Sequence, residues 1–401
     1  MKPSASYDVV VVGGGVIGLA IGWQAAERGL SVAVVDPLPG RGSTWAAAGM
    51  LAPVAEAHFG ETDLAILNSA AVQAWPAFAA ALESASGQPV HLRTEGTLLV
   101  AADASDRASL DRMLAFHLEI GLAATRLSAG ACRDAEPLLA PGISGGVELP
   151  GDHQVDNRCV AAALERACVG AGVELVPYQA IRIVVEAGRT TGIVLPEGDR
   201  VAAGTVVVAA GCRSGGLDGL PDAARPPVRP VRGATVRLRA PAGAPRLQRT
   251  VRALVHGRTC YLVPRTDGEL VLGATSEERG FDLDIPLGGL SDLLGDARRV
   301  VPALDEYSYV ETTAGLRPGT PDNGPIVGPT LVAGLVLATG HNRNGILLAP
   351  LTADSVAAAL SGSPRIWSTG TDPLTGFTLG RFGDADPTPH DPSPTRTGVR
   401  P

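Results

Sequence analysis

Lysine is nearly missing from this 401-residue chain: 33 residues are basic, yet Lys2 is the only lysine and the rest are arginine. With 41 acidic residues the formal charge is −8, which excludes a protein built to coat nucleic acid with a basic stripe. Cysteine is scarce as well. Cys132, Cys159, Cys168, Cys212 and Cys260 are widely spaced and form no C-x-x-C pair. That pattern excludes a disulfide scaffold and a zinc site, and it implies reduced thiols in a cytoplasmic protein. The seven histidines show no metal-ligand spacing. No purely apolar run reaches the ~18 residues that a transmembrane helix needs, so no membrane partner is expected. Charged residues are 18% against 45% hydrophobic, too little charge for a disordered chain and enough apolar material for a sizeable core. Gly (50) and Pro (32) are frequent but not periodic, which rules out collagen and low complexity. At ~100–200 residues per domain the length suggests two or three domains.

The apolar run Val9–Trp23 has the length of a signal-peptide core, but Asp8 sits at its edge and Gly13, Gly14, Gly15, Gly18 and Gly22 lie inside it. Secretory cores are rarely that rich in glycine. A βαβ unit uses them better. Asp8–Val12 reads as a strand buried on both faces, Val16–Arg28 as a helix closed by Gly29, and Ser31–Val35 as a second strand ending at Asp36. Gly13-x-Gly15-x-x-Gly18 therefore joins a strand to a helix, with the acidic residue where a ribose would lie. The glycines allow a tight turn, close approach of a pyrophosphate and helix–strand packing, and the helix start supplies N–H donors. This fingerprint alone does not separate NAD from FAD.

Further helices are expected at Asp63–Ser84, Asp106–Ile120, Asn157–Gly170 and about Ile346–Leu360. Strands are expected at Thr97–Ala101, Gly145–Leu149, Ile181–Val185, Thr205–Ala210, Cys260–Pro264, Leu270–Gly273 and Gly334–Ala338. This order suggests an α/β nucleotide-binding domain in separated pieces, near residues 1–90, 150–220 and 320–365. A sheet-rich α+β domain, near 91–149 and 221–319, is inserted between them. A C-terminal extension at 366–382 and a proline-rich, disordered tail at 383–401 complete the reading.

Two later segments favour FAD. Ser43-Thr44-Trp45-Ala46-Ala47-Ala48-Gly49-Met50 is small enough to lie against a flat ring system, with hydroxyls for phosphate at Ser43 and Thr44. Gly340-His341-Asn342-Arg343-Asn344-Gly345-Ile346-Leu347 places a second helix start at the far end of an extended cofactor, where its positive end would stabilise an anionic ring.

The runs STWAAAGMLAP, TVVVAAGCRSG, CYLVPRTDGELVLGAT, ETTAGLRPGTPDNGPIVG and GHNRNGILLAP resemble, in this order, the D-amino-acid oxidase superfamily of FAD enzymes. The similarity is greatest to its glycine oxidase branch of thiamine biosynthesis. The resemblance implies a Rossmann-like FAD domain of the glutathione-reductase type. It also implies noncovalent FAD held by Gly13, Gly15, Val16, Ile17, Gly18, Asp36, Ser43, Thr44, Ala48, Gly49, Met50, Ile181 and residues His341 through Leu347 (His341, Asn342, Arg343, Asn344, Gly345, Ile346, Leu347). No cysteine or histidine stands where a covalent flavin link would be expected.

The resemblance further assigns Arg317 and Tyr261 to the substrate carboxylate, and Arg343 to a second substrate contact, with a backbone carbonyl as its alternative partner. Independently, a guanidinium fork can give two parallel hydrogen bonds to a carboxylate and a phenol a third. The implied reaction is dehydrogenation of glycine to an imine, yielding glyoxylate and ammonia or feeding thiazole assembly, with oxygen reduced to hydrogen peroxide. Sarcosine or a small D-amino acid is the alternative substrate, and a noncatalytic FAD-binding module the alternative class. Ser276 stands where an apolar residue is expected beside the pocket, which bears on the preferred amine. A homo-oligomer is also compatible with this reading.

Overall fold

The computed structural model describes residues 6–362 and 372–383. The expected tail lies outside them from residue 384 onward, as does the start of the expected extension.

Two eight-stranded sheets organise the chain. In the first, the parallel strands Leu335–Thr339, Arg200–Val208, Ser6–Val12, Val32–Val35 and Glu174–Val176 lie side by side in that order. Ile326–Pro329 adds an antiparallel edge and the Arg182–Val194 hairpin continues from Arg200–Val208. Val9 to Val12 and Val32 to Val35 are buried throughout, as parallel strands covered on both faces must be. One face carries the helices Val16–Glu27, Thr62–Ser86, Asn157–Gly170 and Gly345–Leu360, whose apolar residues share a single core with Val9, Val11, Val34 and Val207. Ile183, Ile193, Leu217 and Leu220 cover the other face.

The helix Thr62–Ser86 is long and apolar enough to cross a membrane by length and composition. In the fold, its Leu64, Leu67, Val72, Trp75, Phe78 and Leu82 enter the core, and the Trp75 indole donates to the Leu347 carbonyl at 3.0 Å. The strand expected at Thr205–Ala210 starts at Arg200 and stops at Val208, because the chain turns at Gly211 into a short 3₁₀ segment.

The second sheet runs Ser308–Gly319, Arg229–Arg239, Glu269–Gly273, Arg258–Pro264, Thr250–Val255, Thr97–Ala101, Gly145–Leu149, Thr125–Leu127. It thus joins strands near residues 97–149 to strands near 229–319, with its own apolar cluster around Leu98, Val236, Val251, Leu262 and Leu272. The twelve-residue strand Ser308–Gly319 is hidden in the sequence by Gly315, Pro318 and Gly319, and its first end, with Tyr309 and Val310, is exposed. Its far end carries Arg317 into the space between the sheets.

Candidate active site

The neighbours of the Ser6–Val12 strand, Val32–Val35 and Arg200–Val208, lead away in opposite directions along the sheet. A crevice opens at the carboxyl ends where such an order reverses. Gly13–Gly18, Asp36 and Gly340–Gly345 all follow carboxyl ends of the first sheet's parallel strands. Gly13 has φ +109, and a Cβ there would press on Ala209. At Gly18 it would overlap the Gly13 carbonyl. Gly15 differs: its nearest neighbour would be the Thr44 hydroxyl at 3.4 Å, so space remains above it. The helix Val16–Glu27 begins without a capping side chain and without an acidic residue in its first turn. A helix start leaves its first N–H groups without helical acceptors. Thr44 Oγ1 takes that of Val16 at 2.9 Å, leaving Ile17 and Gly18 to offer theirs to an anion. Asp36 accepts from the Gly14 and Leu38 N–H groups at 2.7 and 2.8 Å, which holds its carboxylate at the crevice edge.

The Ser43–Met50 segment is clamped from below. Buried Arg265 donates to the carbonyls of Ala48 and Val155, both at 2.8 Å, and to Asn157 Oδ1 at 3.0 Å. Asn157 in turn donates to the Thr44 carbonyl at 2.7 Å. Ser43 Oγ donates to the Leu316 carbonyl, so it joins this segment to the second sheet. Gly49 at φ +73 leaves no room for a side chain against Val155, and Met50 pairs with Gln154. Arg265 was not singled out in the sequence, although it directly follows Tyr261-Leu262-Val263-Pro264.

On the other side, the helix Gly345–Leu360 also starts without a side-chain cap or a first-turn acid. Burial pushes the His341 imidazole down to about 3, so it is neutral, and it shares a hydrogen bond of 3.1 Å with Thr352. Asn342 donates to Asn323 at 2.9 Å, and the Asn344 side-chain nitrogen is buried without a protein partner. Ile346 and Leu347 are core residues, so only their backbone could face a ligand. Ile181 is exposed and its N–H is donated to Val194 at 2.8 Å, which leaves its carbonyl available.

These features fit an extended dinucleotide: space above Gly15, two uncapped helix starts, and a carboxylate beyond the first of them on the side away from the second. No covalent anchor is needed for such a fit.

The second sheet supplies the opposite wall. Arg317 pairs with Val231, Thr235 with Gly273, Gly273 with Tyr261, and Tyr261 with Arg252. Alternation within each strand puts Arg317, Gly233, Thr235, Gly273, Tyr261 and Arg252 on one face. That face meets the 43–47 turn, since Thr235 donates to the Ala46 carbonyl at 3.0 Å. Neither glycine has room for a methyl group: the Arg317 guanidinium lies over Gly233 and the Tyr261 ring over Gly273.

Arg317 Nη1 donates to the carbonyls of Arg232 and Thr275, both at 3.3 Å, and among the described residues it has no carboxylate partner. Burial pushes the Tyr261 phenol up, against the pull of neighbouring Arg317, so the phenol stays protonated and can donate. A cation seated on neutral carbonyls beside a donor hydroxyl is suited to a small carboxylate.

Arg343, for which a backbone carbonyl is the alternative to a substrate contact, does reach one. Its Nε lies 2.7 Å from the Glu56 carboxylate, and its Nη2 donates to the Glu56 carbonyl and the Glu61 carboxylate. Two carboxylates therefore already occupy it. Ser276 is exposed, and the carbonyl of its neighbour Thr275 touches Arg317. Glu56 and Arg252 were both missed; strand register brings Arg252 opposite Tyr261, and no local motif marks either residue.

A family model described as FAD dependent oxidoreductase (DAO) matches residues 8–359. The glycine oxidase of Geobacillus kaustophilus is 36% identical over 360 residues, covering 88% of this chain and 92% of that protein. The bifunctional protein ThiO/ThiG of Trichormus variabilis is 34% identical over 351 residues, covering 87% of this chain and 52% of that protein. The crystal structure of the Geobacillus kaustophilus glycine oxidase superposes with a TM-score of 0.84 at 34% identity, covering 94% of this chain and 99% of that one.

Proposed function

The chain belongs to the DAO family of FAD-dependent oxidoreductases, and from that premise we propose that it oxidises glycine, or a similarly small amino acid, with oxygen as the final acceptor. Similarity to glycine oxidases over nearly the whole chain supports this substrate class. The observation that carries the reading is Arg317: a half-buried guanidinium, seated on two carbonyls, unpaired with acid among the described residues and next to a protonated phenol.

In this reading the pieces near 1–90, 150–220 and 320–365 hold FAD and those near 91–149 and 221–319 hold the substrate. Gly13, Gly15, Val16, Ile17 and Gly18 cradle the pyrophosphate, Asp36 takes the ribose, and Ser43–Met50 with His341–Leu347 border the ring. Bound FAD supplies a two-electron acceptor for the hydrogen on the substrate's α-carbon. Arg317 and Tyr261 fix the carboxylate with up to three hydrogen bonds, and this orients the α-carbon. The pocket works chiefly by orientation, with no charged base assigned to the α-carbon. Hydrolysis of the resulting imine gives glyoxylate and ammonia, so glycine, oxygen and water become glyoxylate, ammonia and hydrogen peroxide. Likeness to ThiO/ThiG supports use of the imine in the thiazole branch of thiamine biosynthesis.

Anaerobic addition of glycine to the flavin-loaded protein tests the proposal. Loss of the oxidised flavin absorbance, with peroxide formed one-to-one with ammonia once air is admitted, is expected. A yellow protein that glycine, sarcosine and small D-amino acids all fail to bleach would instead be a binding module.

A further inference from the structure

Two arginines at this site are in opposite electrostatic states. Arg317 sits on neutral carbonyls, whereas Arg343 is matched by Glu56 and Glu61. Glu56 does more than cancel one charge. Its carboxylate also holds buried Arg252, the cross-strand partner of Tyr261, so it borders the phenol that faces the substrate. Although burial opposes ionisation, Arg252, His58 and Arg343 hold the Glu56 carboxyl well below the usual range, and its negative charge in turn raises the Tyr261 phenol. Glu61 backs the arrangement, accepting from Asn323 at 2.7 Å while it pairs with Arg343.

We propose that Glu56, backed by Glu61, sets the charge selectivity of the site: by occupying Arg343 it leaves Arg317 to receive the substrate's carboxylate and turns away substrates that carry a second one. This rests on the reading of Arg317 and Tyr261 as the carboxylate seat. A substrate whose first carboxylate is on Arg317 would bring a second anion toward the Glu56 side. There it meets a fixed negative charge and a guanidinium already spent. Discrimination by a built-in repulsive group is a common route to specificity. The excluded class is N-carboxymethyl glycines and acidic amino acids; the admitted class is monocarboxylate amines.

The test uses unreactive ether analogues, so that it does not depend on turnover. Methoxyacetate carries one carboxylate and diglycolate two, on nearly the same frame. Their dissociation constants are read from the absorbance of FAD bound to the intact protein. The wild type should prefer methoxyacetate. Glu56→Gln should shift the preference toward diglycolate by at least about tenfold, and Glu61→Gln by less. Adding Arg343→Met to Glu56→Gln should abolish the shift, because the released guanidinium is then gone. Unchanged preference in Glu56→Gln, or a shift that survives Arg343→Met, overturns the proposal. If Glu56→Gln loses its flavin, Glu61→Gln decides, and no shift there overturns it. Failure of glycine to bleach the wild type would instead strike the oxidase reading, and the two outcomes are separate.

Discussion

The ring of Tyr261 lies over Gly273, its cross-strand partner, and a single methyl group on that glycine would overlap the phenol. The ring is half-buried. Gly273→Ala should therefore displace the hydroxyl from the carboxylate seat, at an overpacking cost of about 1–3 kcal/mol. A rise in KM for glycine of about tenfold or more is expected, with flavin content unchanged. Steady-state kinetics checks it; wild-type KM in the variant would show that Tyr261 has no part in binding.

Arg317→Lys keeps the charge and loses the fork. Losing a charge-assisted hydrogen bond in a pocket costs roughly 1.5–3 kcal/mol, or about one to two decades in affinity. Arg317→Ala should cost more, since the desolvated carboxylate would keep only Tyr261. Both variants should remain yellow, because Arg317 stands on the second sheet. Comparing glycine with a carboxylate-free amine of similar size isolates the effect. Normal glycine oxidation by Arg317→Ala would place the substrate elsewhere.

Gly15 and Gly18 should fail in different ways. A methyl group at Gly18 overlaps the Gly13 carbonyl, so Gly18→Ala should lower the melting temperature with or without added FAD. At Gly15 the nearest atom would be Thr44 Oγ1 at 3.4 Å, so Gly15→Ala should fold and bind FAD weakly, because the methyl fills the phosphate's space. Thermal unfolding with and without FAD separates the two; equal destabilisation without FAD would contradict the assignment.

Asp152 and His341 make pH-dependent contributions of opposite sign. Asp152 is fully buried and accepts from Val54 at 3.0 Å; burial pushes its carboxyl from 3.8 up to about 7. Its stabilising contribution is thus complete below about 3.8 and is lost as pH rises through about 7. Burial lowers His341 from 6.5 to about 3, so its contribution is present above 6.5 and is lost as pH falls toward 3. Between pH 4 and 6.5 the two slopes oppose each other. Asp152→Asn keeps an oxygen for Val54 and removes one slope. Relative to wild type, it should be most stable near pH 8 and lose that advantage toward pH 4.5, giving a steeper acid-side decline. Melting temperatures across that range check it; a constant offset would show that Asp152 does not titrate there.

Much of the first sheet was legible because its signals are contiguous. Val9–Val12, the three glycines and Asp36 occupy one βαβ unit, and the structure gives Gly13 and Gly18 the packing constraints that a fingerprint glycine should have. Asn157–Gly170 is a helix over the whole expected range, with Asp156 capping it. The long strand Ser308–Gly319 was not legible, because Gly315, Pro318 and Gly319 disfavour a strand and Glu311, Thr312, Thr313 and Arg317 leave no apolar run.

By itself the sequence determined the glycine-rich strand–turn–helix, the order of the segments and the type of residue at Arg317 and Tyr261, since these depend on local spacing and on side-chain chemistry. It could not say which arginine stays free. Glu56 and Arg343 are 287 residues apart, and Arg252 meets Tyr261 through an antiparallel register. Gly233 and Gly273 leave room for the Arg317 and Tyr261 side chains in the same way, from neighbouring strands. An ion pair needs only a few ångströms of separation, and in a sheet that separation is set by strand pairing and by which face each residue takes. Tertiary structure alone decided that Arg343 is paired with acids and that Arg317, among the described residues, is not.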